Sequence, residues 1–305
     1  MKRMRKKSVE HKLLEIYQYR AVLTKEDAQK LAYLVKGFVG ELALDDCLDM
    51  LHEVSGIKIL KDVRIAYDET HFQIDLLLAI GKVLLHYEVK NYSGEYTMDG
   101  EYLTTKYGRR ILNPEIQIQR ANTMLFNTMK RLGYNFQIRS FCVFVNPDFQ
   151  IYQNEKMDSV LFAGQLASHF EKVKQITAYP NADMEEFLQK LLVLDDADYR
   201  PAKLPRYENV RMRIVCLECC SFKDVGTRQT WICGRCGKHE PMIDAISRTA
   251  KEFLFLYPEK SISVRQVFEW CGFGLNHRQI RRALLKDFIQ QGHGPATTYL
   301  LKEMP

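Results

Sequence analysis

Two apolar runs, FQIDLLLAI at 72–80 and KVLLHYEVKNY at 82–92, meet at Gly81, and no other feature of the sequence constrains the fold as tightly. Gly81-Lys82 suits a two-residue hairpin loop with glycine at its first central position. Ile80 then pairs with Val83 and, counting outward, Asp75 falls opposite Glu88. Cross-strand neighbours have Cβ atoms about 4.5–5.5 Å apart, and two like charges there repel unless a cation lies between them. Side chains alternate along a strand, so Glu88 and Lys90 share a face while Val89 points into the opposite layer. Asp75, Glu88 and Lys90 then gather as hard oxygen ligands beside an ammonium. Mg²⁺ or Mn²⁺ is held by such carboxylates together with waters and phosphate oxygens, and an adjacent lysine neutralises charge on a reacting phosphate. On spacing alone, the same residues also describe an exposed salt-bridge face on a half-solvated strand.

Around this hairpin the chain alternates helix and strand signals. Ala28, Leu31, Leu34, Val35, Phe38, Leu42 and Leu51 recur at helical spacing between Lys25 and Val54, with Gly37 and Gly40 expected to interrupt the helix. A strand is expected near Ile57–Ala66. Asn113-Pro114 reads as a helix start, Asn as the cap and Pro at the first helical position, and the helix should run to about Leu132. FCVFV at 141–145 is a short continuous apolar run, the pattern of a buried strand parallel to its neighbours. Residues 150–205 mix both signals, and YRPAKLPRY at 199–207 reads as a linker.

The ordered motifs Gly37-Phe38-Val39-Gly40-Glu41, Phe72-Gln73-Ile74-Asp75, Tyr87-Glu88-Val89-Lys90-Asn91-Tyr92 with Gly94, and Asn113-Pro114 with Gln117 resemble the nuclease-related domain family, NERD. That family looks like a branch of the PD-(D/E)-x-K nuclease superfamily. The resemblance covers roughly residues 30–150 and implies a restriction-endonuclease-like α/β fold, a mixed sheet flanked by helices. It also implies roles. Asp75, Glu88 and Lys90 would be the acids and lysine of the core strands, Glu41 the helical acid that completes the Mg²⁺ shell directly or through water, and Gln117 a glutamine projecting toward the site. On spacing alone, Gln117 is equally a solvent-facing helix residue. His86 shares the face of Glu88 and reads as a hydrogen-bonding neighbour rather than an acid or base, and Tyr92 and Tyr96 as packing residues.

Cys216-x2-Cys219, then thirteen residues, then Cys233-x2-Cys236 spells a structural Zn²⁺ ribbon, with Cys220 spare and His239 not needed as a ligand. Cys47, Cys142 and Cys271 are scattered, which favours metal binding in a reducing, cytoplasmic setting over a disulfide framework. A closed four-thiolate site folds its module and performs no chemistry. Next, residues 242–256 are helical, and SISVRQVFEWCGFGLNHRQIRRALLKDFI reads as helix, glycine-containing turn, helix. Asn276 caps the second helix, whose stripe is Ile280, Leu284, Leu285 and Phe288. His277, Arg278, Arg281, Arg282 and Lys286 make that helix basic, which suits a DNA groove or a protein-interaction surface. Gly292-His293-Gly294-Pro295 followed by Thr297–Leu301 suggests a short wing, giving a winged-helix-like module.

Charge follows this division. Residues 1–20 hold seven Lys/Arg against two acids, residues 206–305 sixteen against ten, and the middle twenty-one against twenty-six. The basic start is expected to be a solvated helix or a phosphate-contacting arm. No apolar stretch is long enough to span a membrane, and no secretory signal is recognisable. The expected plan is a basic N-terminal helix at 1–24, a nuclease-like domain at 25–198, a linker at 199–210, the ribbon at 211–240 and a helix-turn-helix module at 241–305. The expected function is metal-dependent hydrolysis of DNA, with RNA as the other candidate substrate, by a catalytic domain tethered through its basic tail. Cutting both strands of a duplex would call for a homodimer. The alternatives are a non-catalytic DNA-binding regulator and a protein-interaction adaptor.

Overall fold

The runs on either side of Gly81 form antiparallel strands in which Ile80 pairs with Val83, and Gly81 sits at φ +57°, where a Cβ would be strained. The structure, a computed structural model, describes residues 5–52, 54–67, 70–152, 157–176, 179–196, 199–201, 203–272 and 274–302. It divides into two compact units, Met1–His11 with Gln29–Ala202 and Lys12–Ala28 with Lys203–Pro305. Helices α1 (Val9–Arg20) and α2 (Lys25–Cys47) therefore contribute to both.

In the first unit α2 is followed by β1 (Ile57–Tyr67), β2 (Thr70–Ile80), β3 (Val83–Lys90), β4 (Gly94–Asp99), β5 (Tyr102–Thr105), β6 (Arg110–Leu112) and α3 (Pro114–Arg131). Then come β7 (Gln137–Phe144), β8 (Phe149–Tyr152), β9 (Val160–Phe162), α4 (Leu166–Lys174) and α5 (Ala182–Val193). The main sheet has the order β1-β2-β3-β7-β9, antiparallel from β1 to β3 and parallel from β3 to β9, so it is mixed. A second sheet, β6-β5-β4-β8, packs Tyr96, Leu103 and Phe149 with Phe144 of β7.

Both faces of the main sheet are covered, which is why LLLAI is a continuous apolar run rather than an alternation. Leu76, Leu78 and Ile80 join Leu44, Leu48 and Phe170 in one core, and Leu77 and Ala79 join Leu125, Met129 and Phe187 in the other. Asn113 caps α3 as expected, accepting a hydrogen bond from Glu115 N, with Pro114 at the first turn.

Two expectations fail here. Gly37 and Gly40 do not interrupt α2, which runs unbroken through both. Gly40 instead permits a close approach, since a Cβ there would lie 2.6 Å from Asn91 Cβ. Nor is the described helix of the basic start solvated throughout. Its helix is only Val9–Arg20, and Arg5, Leu13, Leu14, Tyr17 and Arg20 are buried, because apolar residues and paired arginines are built into the two units.

The second unit contains β10 (Thr230–Ile232) and β11 (His239–Pro241), an antiparallel pair, then α6 (Met242–Leu256), α7 (Val264–Cys271) and α8 (His277–Asp287). The hairpin of β12 (Phe288–Gln291) and β13 (Thr298–Leu301) follows, the wing the sequence suggested. Arg20 is buried here, bonded to Glu252 and to the Arg211 carbonyl at 2.6 Å, with its guanidinium 4.5 Å from the Trp270 ring centroid. Asn276 caps α8 and bonds reciprocally with Gln279. The buried stripe of α8 is Ile280, Ala283 and Leu284, with Phe288 already in β12; Leu285 is exposed, because five residues past Ile280 it has turned to the other side. Among the described residues, no helix is long and apolar enough to cross a membrane.

Candidate functional site

The ladder between β2 and β3 ends at Leu76 opposite Tyr87, while β3 stays paired with β7 as far as Lys90 opposite Phe144. The strands therefore part where Asp75 faces Glu88. A buried backbone N–H that has lost its strand partner needs another acceptor. Val89 finds it in the Asp75 carboxylate, N to Oδ2 2.9 Å. The other Asp75 oxygen accepts from Gln73 Nε2 at 3.4 Å, and Gln73 is held by Arg64. Val89 packs in the core with Leu76 and Tyr87, so Glu88 and Lys90 share the opposite face, as alternation requires. Lys90 Nζ lies 2.6 Å from Glu88 Oε1.

Burial, and then the charge of Glu88, hold Asp75 well above the ordinary carboxylate range, opposed by the Val89 N–H and Lys90. Glu41, on α2, is raised by burial and then by Asp75 and Asp62, with Arg5 working against the shift. Burial opposes the charge of Lys90, yet Glu88 and Asp75 raise it on balance, so the ammonium persists.

Residues not anticipated from the sequence complete the cluster. Arg5, with a side chain 0% exposed, reaches Asp62 Oδ1 at 2.6 Å, Asp45 Oδ2 at 3.1 Å, the Asp75 carbonyl at 3.0 Å and Glu41 Oε2 at 3.5 Å. Lys61 Nζ lies 3.0 Å from Asp45 Oδ2. Asp62 has φ +53°, an uncommon conformation outside glycine that marks a break in β1. Asp45 follows Glu41 by one helical turn, a spacing visible in the sequence; Arg5 carries no such signal. A cavity of about 220 Å³ opens beside Glu41 and Asp62 and is also lined by Lys6, Lys7, Arg64 and Tyr199. Gln117 is exposed on α3, where its neighbour Ile118 is buried. His86 is 0% exposed, with neither ring nitrogen bonded among the described residues.

In the second unit, Cys216, Cys219, Cys233 and Cys236 hold their sulfurs within 4.8 Å of one another, with Cys216–Cys236 at 3.6 Å and Cys219–Cys233 at 3.5 Å. Tetrahedral zinc with bonds of about 2.3 Å needs sulfur edges of about 3.8 Å, so the set fits such a metal. The Arg235 N–H points at Cys233 Sγ at 3.4 Å, a bond that favours the thiolate. His239 begins β11 and Cys220 is exposed, and neither joins the set. Among the described residues no other group of three His, Cys, Asp or Glu converges this closely, so Glu41, Asp75 and Glu88 do not. His277, Arg278, Arg281, Arg282 and Lys286 are all exposed on α8, although Lys286 is paired with Asp244.

Residues 36–145 match the family model of the nuclease-related domain, NERD, leaving the start of the chain, the cysteine cluster and the tail outside the match. No curated protein matches the chain. Among solved structures, Can2 from Sulfobacillus thermosulfidooxidans in complex with cyclic tetra-adenylate (cA4) aligns at 14% identity over 55% of this chain, with a TM-score of 0.29. The chain spans about half of that protein, 51%.

Proposed function

We propose, on the premise that residues 36–145 match a nuclease-related domain, that the protein hydrolyses DNA phosphodiester bonds with Mg²⁺ or Mn²⁺ and is held to DNA by a zinc ribbon and a winged-helix-like tail. The observation that carries this reading is the split between β2 and β3, past which Asp75 holds the Val89 N–H between Glu88 and its ion-pair partner Lys90.

The donor set fits a hard divalent cation. It is made of carboxylates, and burial with neighbouring negative charge disfavours ionisation of Asp75 and Glu41, a cost that a cation would relieve. Asp75 and Glu88 would hold the metal, with Glu41 completing its shell directly or through water. When bound, such a metal activates water and stabilises charge on phosphate. The Val89 N–H and Gln73 fix the Asp75 carboxylate. Lys90, kept charged by Glu88, is placed to orient the attacking water or neutralise the transition state. Gln117, exposed on α3, is kept as the glutamine that would project toward the site.

Zinc would occupy the four thiolates and hold the ribbon folded. Arg278, Arg281 and Arg282, with His277, are the candidate phosphate contacts. A non-catalytic DNA-binding regulator is the second reading, favoured by the acids not converging within 4.8 Å. Incubating the intact chain with supercoiled DNA in Mg²⁺, Mn²⁺ or EDTA separates the two. Metal-dependent nicking supports the nuclease, while salt-sensitive binding without nicking supports the regulator. Absence of both would leave the tail a protein-binding module.

A further inference from the structure

Arg5 lies outside the residues that match the nuclease-related domain, yet it sits among the acids of that domain. The β1–β2 ladder pairs Lys61 with Leu76 and Val63 with Ile74, but the rung between them, Asp62 opposite Asp75, is missing. Arg5 Nη1 spans that gap, donating to Asp62 Oδ1 at 2.6 Å on one strand and to the Asp75 carbonyl at 3.0 Å on the other. Its Nε holds Asp45, and Glu41 lies 3.5 Å away.

We infer that Arg5 is a positioning residue for the divalent cation: the N-terminal segment replaces a missing rung of the sheet, and so aims Asp75 and holds Glu41. This rests on the nuclease reading above. Two observations favour positioning over a plug that competes with metal. Arg5 touches Asp75 only at the main chain, so both carboxylate oxygens face Val89 and Gln73 instead. Its shortest contacts to side chains are to Asp62 and Asp45, which are not proposed ligands. A lysine could supply the charge of Arg5 but not the planar fork that reaches both strands and α2.

The test is Mn²⁺ binding by calorimetry to the full-length protein, Arg5→Ala and Arg5→Lys, alongside the metal and DNA dependence of cleavage. Removing a residue that orients ligands costs about 10–100-fold in metal affinity. Arg5→Ala should weaken Mn²⁺ binding by about that factor while leaving KM for DNA near the parent value, and millimolar guanidinium should restore part of the loss. Arg5→Lys should fall between, and it carries the test if Arg5→Ala does not fold. Equal or tighter Mn²⁺ binding by a folded variant would overturn the inference while leaving the nuclease reading intact. A parent protein that binds no Mn²⁺ at the acids would overturn both.

Discussion

Val89 donates its backbone N–H to Asp75 Oδ2 at 2.9 Å, just beyond the last pair of the β2–β3 ladder, Leu76 with Tyr87. A side chain thus takes the place of a strand partner. That substitution opens the sheet at its most polar point and orients one carboxylate toward Glu88 and Lys90. The Val89 N–H bonds the ionised carboxylate more strongly than the neutral acid, so it opposes the upward push of burial on Asp75.

Next to this point, His86 gives the fold a dependence on acid. It is wholly buried, and burial pushes its pKa down from 6.5 to about 4. The unfolded chain takes up a proton near pH 6.5 that the folded chain refuses, so this stability is complete above pH 6.5 and is lost as pH falls toward 4. The loss is on the order of 3 kcal/mol over that window. On going from pH 7 to pH 5, urea unfolding should show His86→Leu ending more stable relative to the parent than at pH 7, because only the parent must keep a buried imidazole neutral. Asp75 and Glu41, raised by burial, tilt both proteins the other way, and His169 tilts both in the direction of His86. Identical slopes in the two proteins would contradict this assignment.

The ribbon should report its metal through tryptophan. Trp231 is 1% exposed and lies on β10, two residues before Cys233. In a Trp270→Phe background, chelation of zinc or Cys219→Ser should shift the emission to longer wavelength as the module opens. Metal analysis should find one zinc bound by the four thiolates. Emission unchanged on zinc loss would mean that the ribbon folds without it.

On α8, the cations are not equivalent. Replacing Arg278, Arg281 and Arg282 together by Ala should weaken DNA binding across sequences and reduce the salt slope by up to about 0.9 per residue lost. Lys286→Ala should do less, because its ammonium is already paired with Asp244. Affinities measured at several salt concentrations would show both effects. A larger loss from Lys286→Ala than from the arginines would move the contact surface elsewhere.

Much of this was legible in the sequence, and the reasons are local. Period-two alternation and the glycine loop set the register of β2 and β3, and Asn113-Pro114 marked the start of α3. The spacing of the cysteine pairs anticipated a cluster that could hold a metal. What stayed hidden depends on tertiary approach. Arg5 meets Asp45, Asp62 and Asp75 across separations of 40, 57 and 70 residues, for which no spacing rule exists. Gly40 was misread as a breaker because its close packing against Asn91 cannot be seen from α2 alone. Leu285 was misplaced by counting apolar residues without following the 100° step.

The central claim, that Asp75 and Lys90 act on phosphodiester bonds, is tested most directly by single-turnover cleavage of linear and supercoiled DNA in Mg²⁺, comparing the parent with Asp75→Asn and Lys90→Met. The account predicts metal-dependent cutting in the parent, a loss of roughly 10²-fold or more in each variant, and near-parent DNA binding in both. Cutting that persists in both variants would place the chemistry elsewhere and contradict it.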